Sequence, residues 1–239
     1  MEKLNAGAAK LGMRLSERQL EQFSVYYEEL IEWNRRYNLT AITGYEEVQF
    51  KHFLDSLTVI TGLRPEIVSS YPCVIDIGTG AGFPGIPLKI VFPTVHLVLL
   101  EATLKKITFL YHLIEKLGLD DVEIVAGRAE EMAHSDKYRG KFDVALSRAV
   151  APLATLVELA LPFCAIGGRF IAQKKGDIEP EVSRAASAIS VLGGSLREIK
   201  TIELEELSDK RYLVIIDKVS STPTHYPRRA GMPAKRPII

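Results

Sequence analysis

Apolar and polar positions divide the chain into two regimes. Up to about residue 62 the apolar residues recur at helical spacing. Leu20, Phe23, Tyr27, Leu30 and Ile31 fall on one face, behind a Ser16-x-x-Gln19 capping box. Thr43-x-x-Glu46 opens a second helical stretch that runs to about Gly62, and the polar turn Asn38-Leu39-Thr40 separates the two. From Cys73 onward, short apolar runs alternate with helical stripes. Strands are predicted at 73–77, 95–100, 122–126, 142–147 and 168–173, and helices near 84–91, 103–117, 152–163 and 178–192. The clearest stripe is Leu104, Ile107, Leu110, Ile114 and Leu117, with Gly118 placed to end it. Such alternation implies right-handed crossovers and a mostly parallel sheet. Two last strands, 196–203 and 211–218, have only a loop between them and are expected to pair as a hairpin, placing one strand antiparallel.

Composition narrows the class without naming a chemistry. At 47% apolar residues there is enough to bury a large α/β core. Cys73 and Cys164 lie far apart in apolar surroundings, with no CxxC pair, which points to a reducing compartment rather than a disulfide framework or a zinc site. No metal is expected. With no signal peptide and no apolar run of membrane-spanning length, the expected location is the cytoplasm, away from any membrane. Net charge is zero, yet from Lys218 onward Lys218, Arg228, Arg229, Lys235 and Arg236 occur with no acidic side chain. That basic ending is either a solvated tail or a phosphate contact. The expected organisation is a helical segment over 1–62, a core domain over 63–219 and a basic tail over 220–239.

The chemistry starts at Val74–Gly85, where an apolar strand meets Asp76 and then breaks into Gly78, Gly80 and Gly82 before a helix start at Pro84. Glycines at this spacing let the backbone lie directly against a ligand, and strand, glycine turn, helix is how an open α/β sheet makes its first nucleotide or nucleoside site. Gly80-x-Gly82-x-x-Gly85 also fits the dinucleotide fingerprint, with Glu101 where a ribose-binding acid is expected. In that fingerprint, however, the first glycine directly follows the strand, which here is Gly78, and Phe83 then stands at the third glycine. Asp76 adds negative charge, which suits a sulfonium cation better than a pyrophosphate. The loop therefore reads as one for S-adenosyl-L-methionine.

Ligands of such sheets bind at the carboxyl ends of the strands. After the second strand come Glu101, Ala102 and Thr103; a carboxylate here can accept both ribose hydroxyls, and Glu101 or Thr103 can equally cap the next helix. After the third come Ala129 and Glu130, candidates for the adenine edge or for a helix start. After the fourth comes Ser147-Arg148-Ala149-Val150, where a methyl acceptor would sit. The acidic or amide residue with Pro-Pro-aromatic that marks amino methylation of adenine is absent here. Neither Cys73, at a strand start, nor Cys164, at a helix end, is placed as the nucleophile that carbon methylation of pyrimidines needs. What remains is an acceptor atom with a free lone pair, such as guanine N7. No general base is expected, and Arg148 is the candidate for positioning the substrate, against a structural ion pair.

With these residues in hand, the chain resembles the RsmG family, also called glucose-inhibited division protein B. The resemblance covers nearly the whole chain and rests on Asn38-Leu39-Thr40-Ala41-Ile42, Lys51-His52-Phe53-Leu54-Asp55-Ser56-Leu57, the glycine loop through Pro87, Lys105-Lys106-Ile107-Thr108-Phe109-Leu110, Ser147-Arg148-Ala149-Val150 and Tyr226-Pro227-Arg228-Arg229-x-Gly231-x-Pro233-x-Lys235. It implies a class I S-adenosylmethionine-dependent methyltransferase, with a Rossmann-like seven-stranded mostly parallel sheet and a terminal antiparallel hairpin, preceded by a helical segment. It implies methylation at N7 of one guanosine in bacterial 16S rRNA, with the small ribosomal subunit or its assembly intermediate as partner and no obligate protein partner. Family cofactor positions fall on Gly78, Phe83, Glu101, Ala102, Thr103, Ala129, Glu130 and Arg148, to which the loop reading adds Gly80, and RNA contacts on Arg228, Arg229 and Lys235. Two departures are Glu101, where Asp is commoner, and Asp209-Lys210-Arg211, where the family often has Glu-Arg-His or similar.

Overall fold

A computed structural model describes residues 1–65, 71–148, 151–205, 207 and 210–239. Ala149 and Val150, the end of the fourth-strand motif, and Asp209 lie outside the described residues. Seven strands form one sheet in the order β3-β2-β1-β4-β5-β7-β6. They are β1 (Cys73–Ile77), β2 (His96–Glu101), β3 (Val122–Ala126), β4 (Phe142–Arg148), β5 (Cys164–Lys175), β6 (Gly194–Ile202) and β7 (Arg211–Lys218). β1 to β5 pair in parallel, and β7 alone runs antiparallel, between β5 and β6. From β1 the chain winds outward to β2 and β3, then returns to β4 on the other side of β1. That reversal opens a crevice beyond the carboxyl ends of β1 and β4.

Both faces of the sheet are covered, which is why its central strands are apolar almost throughout. In β2 every residue after His96 is buried. On one face Val74, Leu97, Leu99, Val144, Leu146 and Ile171 pack under helix α2 (Glu17–Tyr37), α5 (Gly85–Val91) and α6 (Leu104–Leu117). On the other, Ile75, Val98, Ala145 and Phe170 meet α8 (Leu153–Ala160) and α9 (Glu179–Val191). None of the described helices is long and apolar enough to cross a membrane.

The N-terminal region is helical. A short α1 (Glu2–Lys10) precedes α2, whose Ser16–Gln19 capping box is complete. The buried face of α2 is Phe23, Tyr26 and Leu30, while Leu20, Tyr27 and Ile31 are half-exposed. Tyr26 was not expected inside; its hydroxyl donates to the Ala81 carbonyl at 2.6 Å, so the polar tip is satisfied there. The next helical run starts at Gly44 with no side-chain cap, rather than at Thr43. It passes from α3 (Tyr45–Val48) through a π-helical stretch, Gln49–Leu54, to α4 (Asp55–Leu57) and a 3-10 turn, Thr58–Gly62.

Further along, α6 ends at Gly118 in a left-handed conformation, as expected, but Leu104 is exposed and Phe109 and Leu113 are buried instead, and a short α7 (Ala129–Met132) follows β3. Cys164 opens β5 opposite Phe142 rather than closing a helix, because α8 stops at Ala160. Residues 220–239 lie against the core. Arg139 donates to the carbonyls of Thr222, Pro223 and Tyr226, the Thr155 hydroxyl donates to Pro233, and a short α10 (Met232–Lys235) follows.

Candidate functional site: a glycine loop at the switch point

The glycine loop leaves β1 and enters α5 with Asp76 beneath it. Asp76 is fully buried; its Oδ2 accepts from the Thr79 hydroxyl at 2.6 Å and from Gly85 N at 2.8 Å. The carboxylate therefore ties strand end, loop and helix start together and does not line the cavity above, although the sequence placed its charge beside the ligand. Burial raises its pKa to about 6, against the two hydrogen bonds that favour the charged form.

The glycines serve different ends. Gly80 has φ +65°, and a Cβ there would find nothing nearer than 3.9 Å. Gly82, at φ +98°, would drive a Cβ to 2.6 Å from Ile86 and 2.7 Å from the Tyr26 hydroxyl. Gly82 is thus required by packing of the loop against α5 and α2, while Gly80 faces open space that a ligand can enter.

That space is a cavity of about 500 Å³. Gly78, Gly80, Phe83, Glu101, Ala102, Ala129, Glu130 and Arg148 all line it. Thr103 does not; its N–H, with that of Ala102, donates to Glu101 Oε1 at 2.8 and 3.0 Å. Glu101 Oε2 accepts from Gly80 N at 3.0 Å. The capping reading of Glu101 is thus observed, and the carboxylate uses three of its roughly four lone-pair sites on backbone N–H groups while still lining the cavity. Glu130 Oε1 accepts from Gly231 N at 2.9 Å, which fastens the C-terminal segment to the cavity rim. Lys106, to which sequence reasoning gave no role, lines the cavity 4.0 Å from a Cβ built on Gly80. Its signal was available: a lysine in the first turn of α6 opposes the helix dipole and calls for another reason to be there.

At the inner end of the cavity Phe83 carries two groups on its ring. His52 stacks on it at 4.5 Å between centroids, and the Arg148 guanidinium lies over it at 4.7 Å. Arg148 Nη1 donates to the carbonyls of Lys51 and His52 at 3.3 Å and pairs with Asp55 at 3.4 Å. Asp55 also pairs with Arg211 at 3.2 Å, and burial raises its pKa against both cations. The π-helical stretch turns these carbonyls toward β4. Arg148 thus joins β4 to the N-terminal helices as well as walling the cavity.

Arg148 Nη2 approaches His52 Nδ1 at 3.3 Å, and His52 Nε2 lies 2.7 Å from Thr40 Oγ1. An arginine can only donate, so Nδ1 is the acceptor and the proton sits on Nε2. Desolvation first, then Arg148, hold the His52 pKa at about 3. Asn38 closes α2 in a left-handed conformation, so its place is that of a helix cap.

The basic ending separates into inner and outer residues. Lys218 is buried, with its ammonium on Leu192 O and Thr222 Oγ1. Arg228 forms an ion pair at 2.6 Å with Glu158, which is fully buried. Arg229 and Lys235 are exposed.

A doubly wound sheet with this hairpin order, a glycine loop at its switch point and an acid on its second strand defines a class I S-adenosylmethionine-dependent methyltransferase. The residues fit that cofactor: an open glycine backbone, a carboxylate with one acceptor site left, and an apolar floor. Comparisons with known proteins agree. The family model of rRNA small subunit methyltransferase G matches residues 19–211. The chain is 53% identical over 240 residues to the Ribosomal RNA small subunit methyltransferase G of Dehalococcoides mccartyi, covering all of both chains, and 47% identical over 241 residues to that of Roseiflexus castenholzii, again covering all of both. Among solved structures it is similar in fold to a 16S rRNA (adenine(1408)-N(1))-methyltransferase from Catenulisporales acidiphilia, with TM-score 0.52 and 12% identity over 67% of this chain and 94% of that one. A precorrin-6y C5,15-methyltransferase from Geobacter metallireducens gives 0.51 and 13%, over 69% and 87%. The chain belongs to the rRNA small subunit methyltransferase G family and is an S-adenosylmethionine-dependent rRNA methyltransferase.

Proposed function

We propose that the enzyme methylates N7 of one guanosine in 16S rRNA, as the naked RNA or within a small subunit or its assembly intermediate, in the cytoplasm. The observation that carries this reading is the inner wall of the cavity. Its one imidazole, His52, is held neutral with its lone pair turned to Arg148. A wall built this way does not take a proton from an acceptor near neutral pH, so it suits an atom whose lone pair is already free, as guanine N7 is.

In this reading the ribose of the cofactor lies at Glu101, its adenine toward Ala129 and Glu130, and its methionine end toward Phe83 and Arg148. S-adenosylmethionine supplies an electrophilic methyl group. The chain's own contribution is alignment: Gly78 and Gly80 let the backbone approach, Glu101 orients, and the Phe83–His52–Arg148 stack shapes the place where nucleophile and methyl meet. Arg148 positions the base. Exposed Arg229 and Lys235 contact RNA phosphates, and Arg228 supports them through Glu158.

Labelled S-adenosylmethionine offered with 16S rRNA, with small subunits and with a small-metabolite pool tests this. N7-methylguanosine at one RNA position is expected; label on metabolites, or on another atom of the RNA, contradicts it.

A further inference from the structure

A second cavity, of about 450 Å³, adjoins the first at His52 and Arg148. The N-terminal helical run contributes Lys51, His52, Asp55 and Thr58, and the ends of β4, β5 and β7 contribute Arg148, Gln173, Lys174, Lys175, Arg211 and Tyr212. His52 and Arg148 line both cavities. Three further cavities among the described residues share no lining residue with the cofactor cavity. An acceptor atom has to come within about 3–3.5 Å of the methyl, so its chamber must border the cofactor's, and this one does.

The lining states what chemistry it takes. Asp55 is the one carboxylate of the lining and serves both Arg148 and Arg211, while Lys51 pairs with Glu47 and Lys174 with Glu181 from outside it. Among the described residues, Lys175, at the mouth, is the lining cation left for an anionic group of a ligand. Lys175 is exposed and Lys51 half-exposed at the mouth, while Arg211 and Lys174 are deeper. Tyr212 adds aromatic surface, which suits the face of an unstacked base.

Gln173 carries a further observation. Its side-chain amide donates to Asp55 O at 2.5 Å and Thr58 Oγ1 at 3.0 Å. The Thr58 hydroxyl itself donates to Asp55 O, so both partners are acceptors and the amide's orientation is fixed. Gln173 Oε1 is then left buried with no hydrogen-bond partner among the described residues. It is an acceptor that a ligand with N–H donors can satisfy once the chamber opens, and guanine has such donors at N1 and N2.

We propose that this chamber receives the target guanosine, extruded from the RNA, with its base against Tyr212 and a flanking phosphate at Lys175. The base edge bearing N7 then points along the border that the two cavities share beside Arg148 and His52, where the methyl is reached, and the N1 and N2 edge lies on the side of Gln173. The assignment rests on the reading of the enzyme as a guanine-N7 methyltransferase of 16S rRNA and names the part of the chain that holds the nucleotide.

The test uses the full chain under steady-state conditions on 16S rRNA and small subunits, with S-adenosylhomocysteine affinity measured separately. Tyr212→Ala is expected to lower kcat/KM about 10-fold or more, the scale of a base–aromatic stack, and Tyr212→Phe to retain most of it. Lys175→Glu, a surface change that leaves folding intact, is expected to raise KM for RNA without changing kcat. Cofactor affinity is expected to stay constant in all three. Wild-type RNA kinetics in Tyr212→Ala and Lys175→Glu, with the wild-type enzyme active on 16S rRNA, overturn the chamber alone. A wild-type enzyme that methylates no RNA overturns the underlying reading and the chamber with it.

Discussion

Glu101 holds Gly80, Ala102 and Thr103 by their backbone N–H groups, and the proposed ribose adds to that load. Glu101→Ala removes the ribose acceptor and loosens the loop, and should weaken cofactor binding by about 1–3 kcal/mol; calorimetric titration with S-adenosylhomocysteine measures it, and an unchanged affinity leaves Glu101 a cap only. Gly78, at φ +69°, should tolerate no branched residue, so Gly78→Val should abolish cofactor binding while the far-UV circular dichroism is retained. His52 and Asp76 have opposite linkage to pH. The His52 pKa falls from 6.5 to about 3, so the unfolded chain binds more protons between those values. The stability this contributes is complete above 6.5 and is lost as pH falls toward 3. The Asp76 pKa rises from 3.8 to about 6, so its contribution is complete below 3.8 and is lost as pH rises through 6. Denaturant titrations from pH 4 to 7 should therefore show the pH slope becoming less positive in His52→Gln and more positive in Asp76→Asn. The rate of methyl transfer across neutral pH should show no ionisation that His52→Gln removes.

At the scale of elements, the C-terminal segment makes the sharpest separation. Arg228→Ala leaves Glu158 buried without its cation, which should cost about 3 kcal/mol of stability, near the low end for breaking a buried pair because Arg228 is partly in water. Neutralising Arg229 and Lys235 should leave the melting temperature unmoved and flatten the salt dependence of RNA binding by about 0.7–0.9 for each phosphate no longer neutralised. An identical salt slope would make these two residues bland. The strands and most helices were legible because period-2 and period-3.6 patterns report burial directly. The glycine loop was legible because its residues are dictated by backbone geometry. What stayed hidden depended on distant partners. Tyr26 is buried only because Ala81 receives its hydroxyl, Lys218 turns inward only because Leu192 and Thr222 offer oxygens, and Arg228 is structural only because α8 brings Glu158 beneath it. The π-helical stretch at Gln49–Leu54 has no local sequence signature; it appears where His52 and the Lys51 and His52 carbonyls have to reach Arg148.

For the molecule as a whole, the sheet order places the loop, Glu101 and Arg148 around one crevice, and the N-terminal helices close it from the side. Family membership and geometry converge on methyl transfer to rRNA, and the neutral His52 in the inner wall of the cavity supports the proposed acceptor, one that needs no base. The measurement that tests this most directly is a map of methylated nucleotides in 16S rRNA from cells with the wild-type enzyme and with an Arg148→Ala variant. One N7-methylguanosine present in the first and lost or strongly reduced in the second is the predicted result. An unchanged map, or loss of a methyl group from an exocyclic amine or a carbon, would contradict it.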